Sequence, residues 1–556
     1  MGVGRLMTTV LVAGATVSAC GLAGGVTTHE ASQHVEDVTS RMPPTTEPET
    51  SAPTISWSHC DDIDGALSLE WECASVPVPL DHDDPTGEQI SIAVTRPVLE
   101  PGDDRAPLVM NPGGPGAQGV PLAWYLVDQL PFDLLDHFYP VGWDPRGVGR
   151  SVPAVDCGSF DLADHPDADE CIAGTGPLLD ELGAADAALD LENLRLALGV
   201  ERLDYLGYSY GTALGAVYAM AYPEHVGRFV LDGAIDPDAG DAAGAGPVRG
   251  PPGYATDGID DAIARFHELC DETIECAAGP DSATLVDDLR SSIAALPTTD
   301  FPGGPTHIDR LDLDDVLAGA TFDPWSWPSV GDALRDAAAG NAATLAALLS
   351  YQRNGYPPMP VADDEALADA AAFFAISCAD FSADIPPSGC DGMPRADPLP
   401  VIGAVDTPEP ILVIGTEHDP ATPGHLAGEM ANALDDAVTV TWEGIGHTAF
   451  PVNHCVDDAV TTYLVDGTPP ADGVLCAMVD GVRDGPDLAG HLFEYQGWWV
   501  EPLLVEVFVA EGASDRVATC MGRRLAGADH RIITHLLLGV RSVDVDAARA
   551  AATRSC

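Results

Sequence analysis

No lysine occurs among the 556 residues; all 24 basic residues are arginine. That absence excludes a lysine general base, a Schiff-base lysine and a phosphate-binding P-loop lysine. Positive charge of any kind is scarce, since 88 acidic residues against 24 basic ones leave a net charge of −64. A surface this acidic repels nucleic acid and anionic lipid head groups, so neither is an expected partner. Its plainest meaning is a solvated surface suited to solubility, in a salty or high-GC background. No CxxC pair is present and the histidines show no ligand spacing, so no metal site is expected. Internal repeats are also lacking. The apolar stretch from Trp498 to Ala510 is broken by Glu501, Pro502 and Glu506, which excludes a membrane span there.

What is present begins with length. The chain is too long for one ordinary domain, and with 46 % hydrophobic residues most of it should fold. The first nineteen residues read as an export signal: Arg5, a mostly apolar run from Leu6 to Val17, then Ser18-Ala19 before Cys20. The run is too short for a permanent transmembrane helix. Val-Ser-Ala-Cys resembles a bacterial lipobox, which would make Cys20 the lipidated residue; the alternative is a plain cleaved signal with an incidental Cys. Counting favours the anchor. Of 13 cysteines, setting Cys20 aside leaves an even number that can all pair in an exported protein. They fall as sequence neighbours: Cys60 with Cys73, Cys157 with Cys171, Cys270 with Cys276, Cys378 with Cys390, Cys455 with Cys476, and Cys520 with Cys556. These local bridges are expected, although sequence alone leaves connectivity open. Bridges over such short loops contribute about 2–4 kcal/mol each.

Residues 20–56 are Thr-, Pro-, Glu- and Ser-rich and should form a flexible tether. From 57 to 237, short apolar strands alternate with helical segments, the mark of an α/β sheet. Strands are expected at Ser75 to Leu80, Gln89 to Pro97, Pro107 to Met110, Tyr139 to Trp143, Arg202 to Leu206 and Arg228 to Leu231. Helices are expected at Ala184 to Leu198, capped by Gly199, and at Gly211 to Tyr222. The alternation breaks over 238–405, which reads as a mainly helical cap inserted between sheet strands, or else as an independent neighbouring domain. Strands resume at Pro410 to Ile414 and Val438 to Trp442, giving a second part of the core over 406–480. The last segment, 481–556, carries no motif and is expected to be a small disulfide-closed appendage.

Chemistry concentrates in Gly207-Tyr208-Ser209-Tyr210-Gly211. A G-x-S-x-G match alone means little in a chain with 57 glycines. Lying between a strand and a small-residue helix, it reads as a nucleophile elbow, where a strained turn presents the serine at a helix N-terminus. Upstream, Asn111 to Gly116 follows a strand as a Gly-rich loop, the place for an oxyanion hole; the N–H groups of Gly114 and Tyr210 are its candidates. Downstream, Asp419 follows one strand and His447 the last, in the order Ser, Asp, His of α/β hydrolases. Rivals for the acid are Asp232 and Asp236. Rivals for the base are His418, which precedes the acid, and His454, which falls inside a helix. Such a triad attacks an acyl carbon with Ser209, takes its proton with His447 and orients the imidazole with Asp419, with no cofactor. Gly147-Val148-Gly149 lacks the third glycine of a dinucleotide fingerprint, and Asp144 reads as a structural strand-end residue. Epoxide or dehalogenase chemistry would need Asp in place of Ser209.

The segments Pro112 to Gly116, Asp144 to Ser151, Gly207 to Gly211, Asp419-Pro420-Ala421-Thr422-Pro423 and Gly446-His447 resemble the proline-iminopeptidase and tripeptidyl-aminopeptidase group of serine peptidases, in particular its secreted actinobacterial members. The stretch from His454-Cys455 to Cys476 is similar to their C-terminal module. Pro112 stands where the family often has His, and the resemblance ends near 480. It implies release of di- or tripeptides from free peptide N-termini, with an acidic cap residue receiving the substrate ammonium group. The expected protein is thus an exported, monomeric α/β-hydrolase enzyme acting on peptides and touching the membrane only through a lipid anchor. An esterase or lipase with the same triad, and a non-catalytic surface protein of the same fold, are the rivals.

Overall fold

The computed structural model describes most of 55–479 and 504–556. Outside the described residues lie 1–54, 61–68, 161–165, 239–256, 302–304, 323, 355–363, 382–389, 391, 395–397, 480–503, 506, 510 and 511. The expected export signal, Cys20 and the tether as far as residue 54 therefore fall outside them.

Segments of two to nine residues, most of them apolar, form a single ten-stranded sheet. Its strands are β1 (Ser58–His59), β2 (Trp71–Pro79), β3 (Gln89–Pro97), β4 (Ala106–Asn111), β5 (Phe138–Asp144), β6 (Leu203–Tyr208), β7 (Val226–Asp232), β8 (Ile411–His418), β9 (Ala437–Ile445) and β10 (Val474–Ala477). The spatial order is β1-β2-β3-β5-β4-β6-β7-β8-β9-β10. The leading strands pair antiparallel and everything from β5 onward is parallel. The crossing of β4 and β5 and the parallel run that follows define an α/β-hydrolase sheet. Central strands such as β5 are buried along their whole length, as expected of a sheet covered on both faces.

Helices Ala184–Leu198 and Tyr210–Ala221 pack on this sheet. The first ends where Gly199 turns left-handed at φ 74° and donates its N–H to the carbonyls of Arg195 and Leu196. Arg146, buried, ties the sheet to it: the guanidinium bonds both carboxylate oxygens of Asp190 at 2.7 Å and the carbonyls of Pro79, Leu80 and Glu181. Asp144 accepts the N–H groups of Val120 and Arg150 at 2.9 Å, a structural strand-end role. The six disulfides join the neighbour pairs read from the sequence.

By its contacts the chain falls into two units, and their boundaries differ from those expected. One holds the sheet and runs to Gly258, then from Ala362 to Ala477. Helix Asp364–Asp380, assigned by sequence to the cap, belongs here because Ala371, Ala372, Phe374, Ala375 and Ile376 join the sheet's apolar core. Asp380 also accepts the N–H of Ala184 at 3.0 Å. The second unit gathers Ile259–Val361 with Met478–Cys556. The C-terminal segment is thus grouped with the helices of Ile259–Val361. Its helix His530–Leu537 packs on helix Trp327–Ala338, with Thr534 donating to Asp332 at 2.6 Å and His535 bonding Asp336 at 2.9 Å.

Candidate active site

Three loops at the carboxyl ends of β6, β8 and β9 build the site. β6 ends at Tyr208, and Ser209 follows with φ 53° and ψ −124°, a conformation that L residues seldom take, before helix Tyr210–Ala221 begins. Glycine makes the turn possible. A Cβ on Gly207 would lie 2.5 Å from the Gly211 carbonyl oxygen, and one on Gly211 would lie 2.7 Å from Asn111 Oδ1. The elbow is pinned from behind: Ser209 N–H donates to the Asp232 carbonyl at 2.9 Å, and Thr212 donates both N–H and hydroxyl to the Ser209 carbonyl.

The loop after β4 lies directly on this turn. A Cβ on Gly113 would meet the Tyr208 carbonyl oxygen at 2.4 Å, the Tyr210 nitrogen at 2.9 Å and Ser209 Cβ at 3.0 Å. Gly113 and Gly114 have φ of 88° and 108°, and Asn111 Oδ1 accepts the Gly113 N–H at 2.9 Å. The Gly114 and Tyr210 amides named from sequence therefore sit on adjoining turns beside Ser209. The Tyr210 side chain leads away, its hydroxyl donating to Asp380. Burial pushes the Asp380 carboxyl up to about 7, against the opposing effect of that hydrogen bond.

Asp419, fully buried, follows β8. Its carboxylate accepts the N–H groups of Ala421 and Thr422 at 2.8 Å, the Thr422 hydroxyl at 3.0 Å and the Thr448 N–H at 3.2 Å. Both its oxygens lie 2.9 Å from His447 Nδ1. His447 follows β9 between Gly446 at φ 120° and Thr448 at φ 72°, a backbone that reverses the chain so that imidazole and Thr448 N–H face one carboxylate. Burial lowers the imidazole pKa, but the charge of Asp419 and its hydrogen bond outweigh this, and the pKa is raised from the ordinary 6.5. A Cβ on Gly233, the residue after Asp232, would lie 3.5 Å from His447 Cε1. Ser209 and His447 thus flank the Asp232-Gly233 segment.

The rivals make other contacts. The Asp232 carboxylate is engaged by the N–H groups of Ala449 and Phe450, and Asp236 accepts the N–H of Asp238 at 2.9 Å. His454 opens helix His454–Asp466 with its side chain 86 % exposed and 3.6 Å from Asp457. His418 ends β8, before the acid. Sequence reading missed Thr422 and Thr448. Thr422 had a local signal, an Asp three residues earlier whose side chain can accept the backbone N–H of an Asx turn; Thr448 had none. Among the described residues no group of His, Cys, Asp and Glu is placed to hold a metal ion. A hydroxyl on a strained elbow, an imidazole fixed to a carboxylate and neighbouring amide donors are the parts of nucleophilic acyl transfer.

Sheet order, elbow and loop chemistry define a serine hydrolase of the α/β-hydrolase fold. Comparison with known families agrees: residues 106–300 match the family described as alpha/beta hydrolase fold, and residues 378–476 match the TAP-like protein family. Serine protease Hip1 of Mycobacterium tuberculosis is 31 % identical over 490 residues, covering 77 % of this chain and 92 % of that protein. Carboxylesterase B of the same organism is 31 % identical over 488 residues, covering 77 % and 90 %. Tripeptidyl aminopeptidase of Streptomyces lividans is 28 % identical over 489 residues, covering 76 % and 86 %. The chain belongs to the α/β-hydrolase serine peptidase family of the tripeptidyl aminopeptidases and their relatives. Its disulfides are of the kind that persist in oxidising compartments. Among the described residues no helix is long and apolar enough to cross a membrane.

Proposed function

We propose that the protein is an extracytoplasmic serine aminopeptidase that releases di- or tripeptides from free peptide N-termini. Ser209 attacks the scissile carbonyl, His447 takes its proton and returns it to the leaving amine, and Asp419 holds the imidazole tautomer. The N–H groups of Gly114 and Tyr210 receive the oxyanion, and water then cleaves the acyl-enzyme. The observation that carries this reading is the 2.9 Å bond from His447 Nδ1 to a buried Asp419, in a loop that abuts the segment pinning Ser209. The enzyme acts as a monomer on peptides. It carries no affinity for nucleic acid, whose charge the −64 surface repels, and meets the membrane through lipid on Cys20.

A carboxylesterase activity is the second reading, favoured by the equally similar relative of that name. Purified protein given tripeptidyl- and aminoacyl-anilides beside short acyl esters separates the two. Turnover of the anilides, abolished in Ser209→Ala, is expected; turnover of esters alone would sink the peptidase reading. For the anchor, Cys20→Ser should move the protein from membranes to the medium, and unchanged membrane association would refute lipidation.

A further inference from the structure

Asp232, at the end of β7, touches two of the loops that build the site, the elbow and the segment after His447. It is fully buried. Its main chain pairs with Tyr208 of β6 and Ile414 of β8, its carbonyl accepts the Ser209 N–H, and the next N–H, of Gly233, donates to Ile414. Its side chain turns to the third loop. Both carboxylate oxygens lie within 3.1 Å of the Ala449 nitrogen, and one accepts the Phe450 N–H at 2.8 Å, two and three residues past His447. Two amide donors would be satisfied by a neutral acceptor, and a carboxylate without a cation partner is costly at this depth. A carboxyl group at this position, where a neutral amide would serve the same donors, needs a use.

We infer that Asp232 is a positioning residue of the reaction: through Ala449 and Phe450 it fixes the loop bearing His447 against the elbow, and its negative charge favours the imidazolium formed when Ser209 is deprotonated. This rests on the triad proposed above. The titratable groups facing it are Asp419, His447 and, from β6, Tyr208. Burial holds the Tyr208 phenol well above its usual range, so it stays neutral. Burial likewise raises Asp232, to about 7, despite the two amide bonds.

The test compares wild type with Asp232→Asn, which keeps an acceptor but no charge, and Asp232→Ala, which keeps neither. The readouts are the labelling rate of Ser209 by a fluorophosphonate probe across pH, and kcat and KM on whichever anilide or ester the wild type turns over. Asp232→Ala should lose about tenfold or more in labelling and in kcat with KM little changed, the size expected when charged hydrogen bonds are removed. Asp232→Asn should recover part of the rate, with its acid limb displaced to lower pH because His447 has lost a neighbouring negative charge. Should Asp232→Ala not fold, the Asp232→Asn limb decides alone. Wild-type rates with an unmoved acid limb in the variants would overturn the inference while leaving the triad intact. A folded wild type that never labels at Ser209 would overturn the triad, and this inference with it.

Discussion

Asp419 is held by five donors, two of them from Thr422. The Thr422 hydroxyl also stands 3.4 Å from His447 Nδ1, so it bears on both the carboxylate and the imidazole. Thr422→Val preserves shape and removes only that hydroxyl. A hydrogen bond to a charged group is worth about 1.5–3 kcal/mol, so kcat/KM should fall roughly tenfold or more, and Thr422→Ser should restore it. Equal rates in the valine variant would show that the amides alone hold Asp419. The same carboxylate fixes the pH dependence. Catalysis needs neutral His447, whose pKa is raised above 6.5 because Asp419 outweighs burial. The kcat/KM of the free enzyme should therefore fall as pH drops through a midpoint above 6.5. In Asp419→Asn that midpoint should move down and the plateau should drop by about 10⁴-fold. A wild-type midpoint at or below 6.5 would mean that the carboxylate does not dominate the imidazole's surroundings.

Among the elements, the loop after β4 and the elbow after β6 have a shared tolerance for bulk near zero. Gly113→Ala would put a methyl group 2.4 Å from the Tyr208 carbonyl oxygen, on backbone that cannot swing aside. Gly199 is also left-handed, at φ 74°, but has open space around it. Gly199→Ala should cost about 1–2 kcal/mol of stability in a denaturant melt and leave fluorophosphonate labelling intact. Gly113→Ala should abolish labelling even where the protein folds; labelling at the wild-type rate would show that the oxyanion loop does not bear on the serine. Local signals made these elements readable in advance. Gln89 to Pro97 and Ala184 to Leu198 form over the residues expected, because strand alternation and leucine periodicity are written in consecutive positions. The elbow is equally local. What could not be read depends on partners far along the chain: Asp232 meets Ala449 at a separation of 217 residues, and Tyr210 meets Asp380 at 170. No periodicity encodes such pairs. The short edge strands β1 and β10 were missed because their two and four residues leave no pattern to see.

At the scale of the whole molecule, the C-terminal segment shows how a motif-free stretch acquires a place. Leu504, Phe508, Ile533 and Leu536 belong to an apolar cluster of the segment's own, closed by the Cys520–Cys556 bridge. Helix His530–Leu537 then spends its polar side chains on helix Trp327–Ala338. Asp336 takes His535 at 2.9 Å, Arg531 at 3.0 Å and the Thr344 hydroxyl at 2.8 Å, while Arg541 N–H donates to the Asp300 carbonyl at 2.9 Å. Burial would raise the Asp336 pKa, but hydrogen bonds from His535 and Thr344 and the charge of Arg531 bring it below the usual carboxylate value. A carboxylate depressed in this way stabilises the fold above its unfolded pKa and loses that contribution as pH falls through the folded value. His535→Ala removes one donor and leaves Asp336 buried with fewer partners, a loss of about 1–3 kcal/mol. Amide hydrogen exchange should therefore speed up along Trp327–Ala338 as well as along His530–Leu537, with the difference from wild type shrinking toward strongly acid pH. Faster exchange confined to the C-terminal helices would mean that this segment rides on the neighbouring helices without stabilising them.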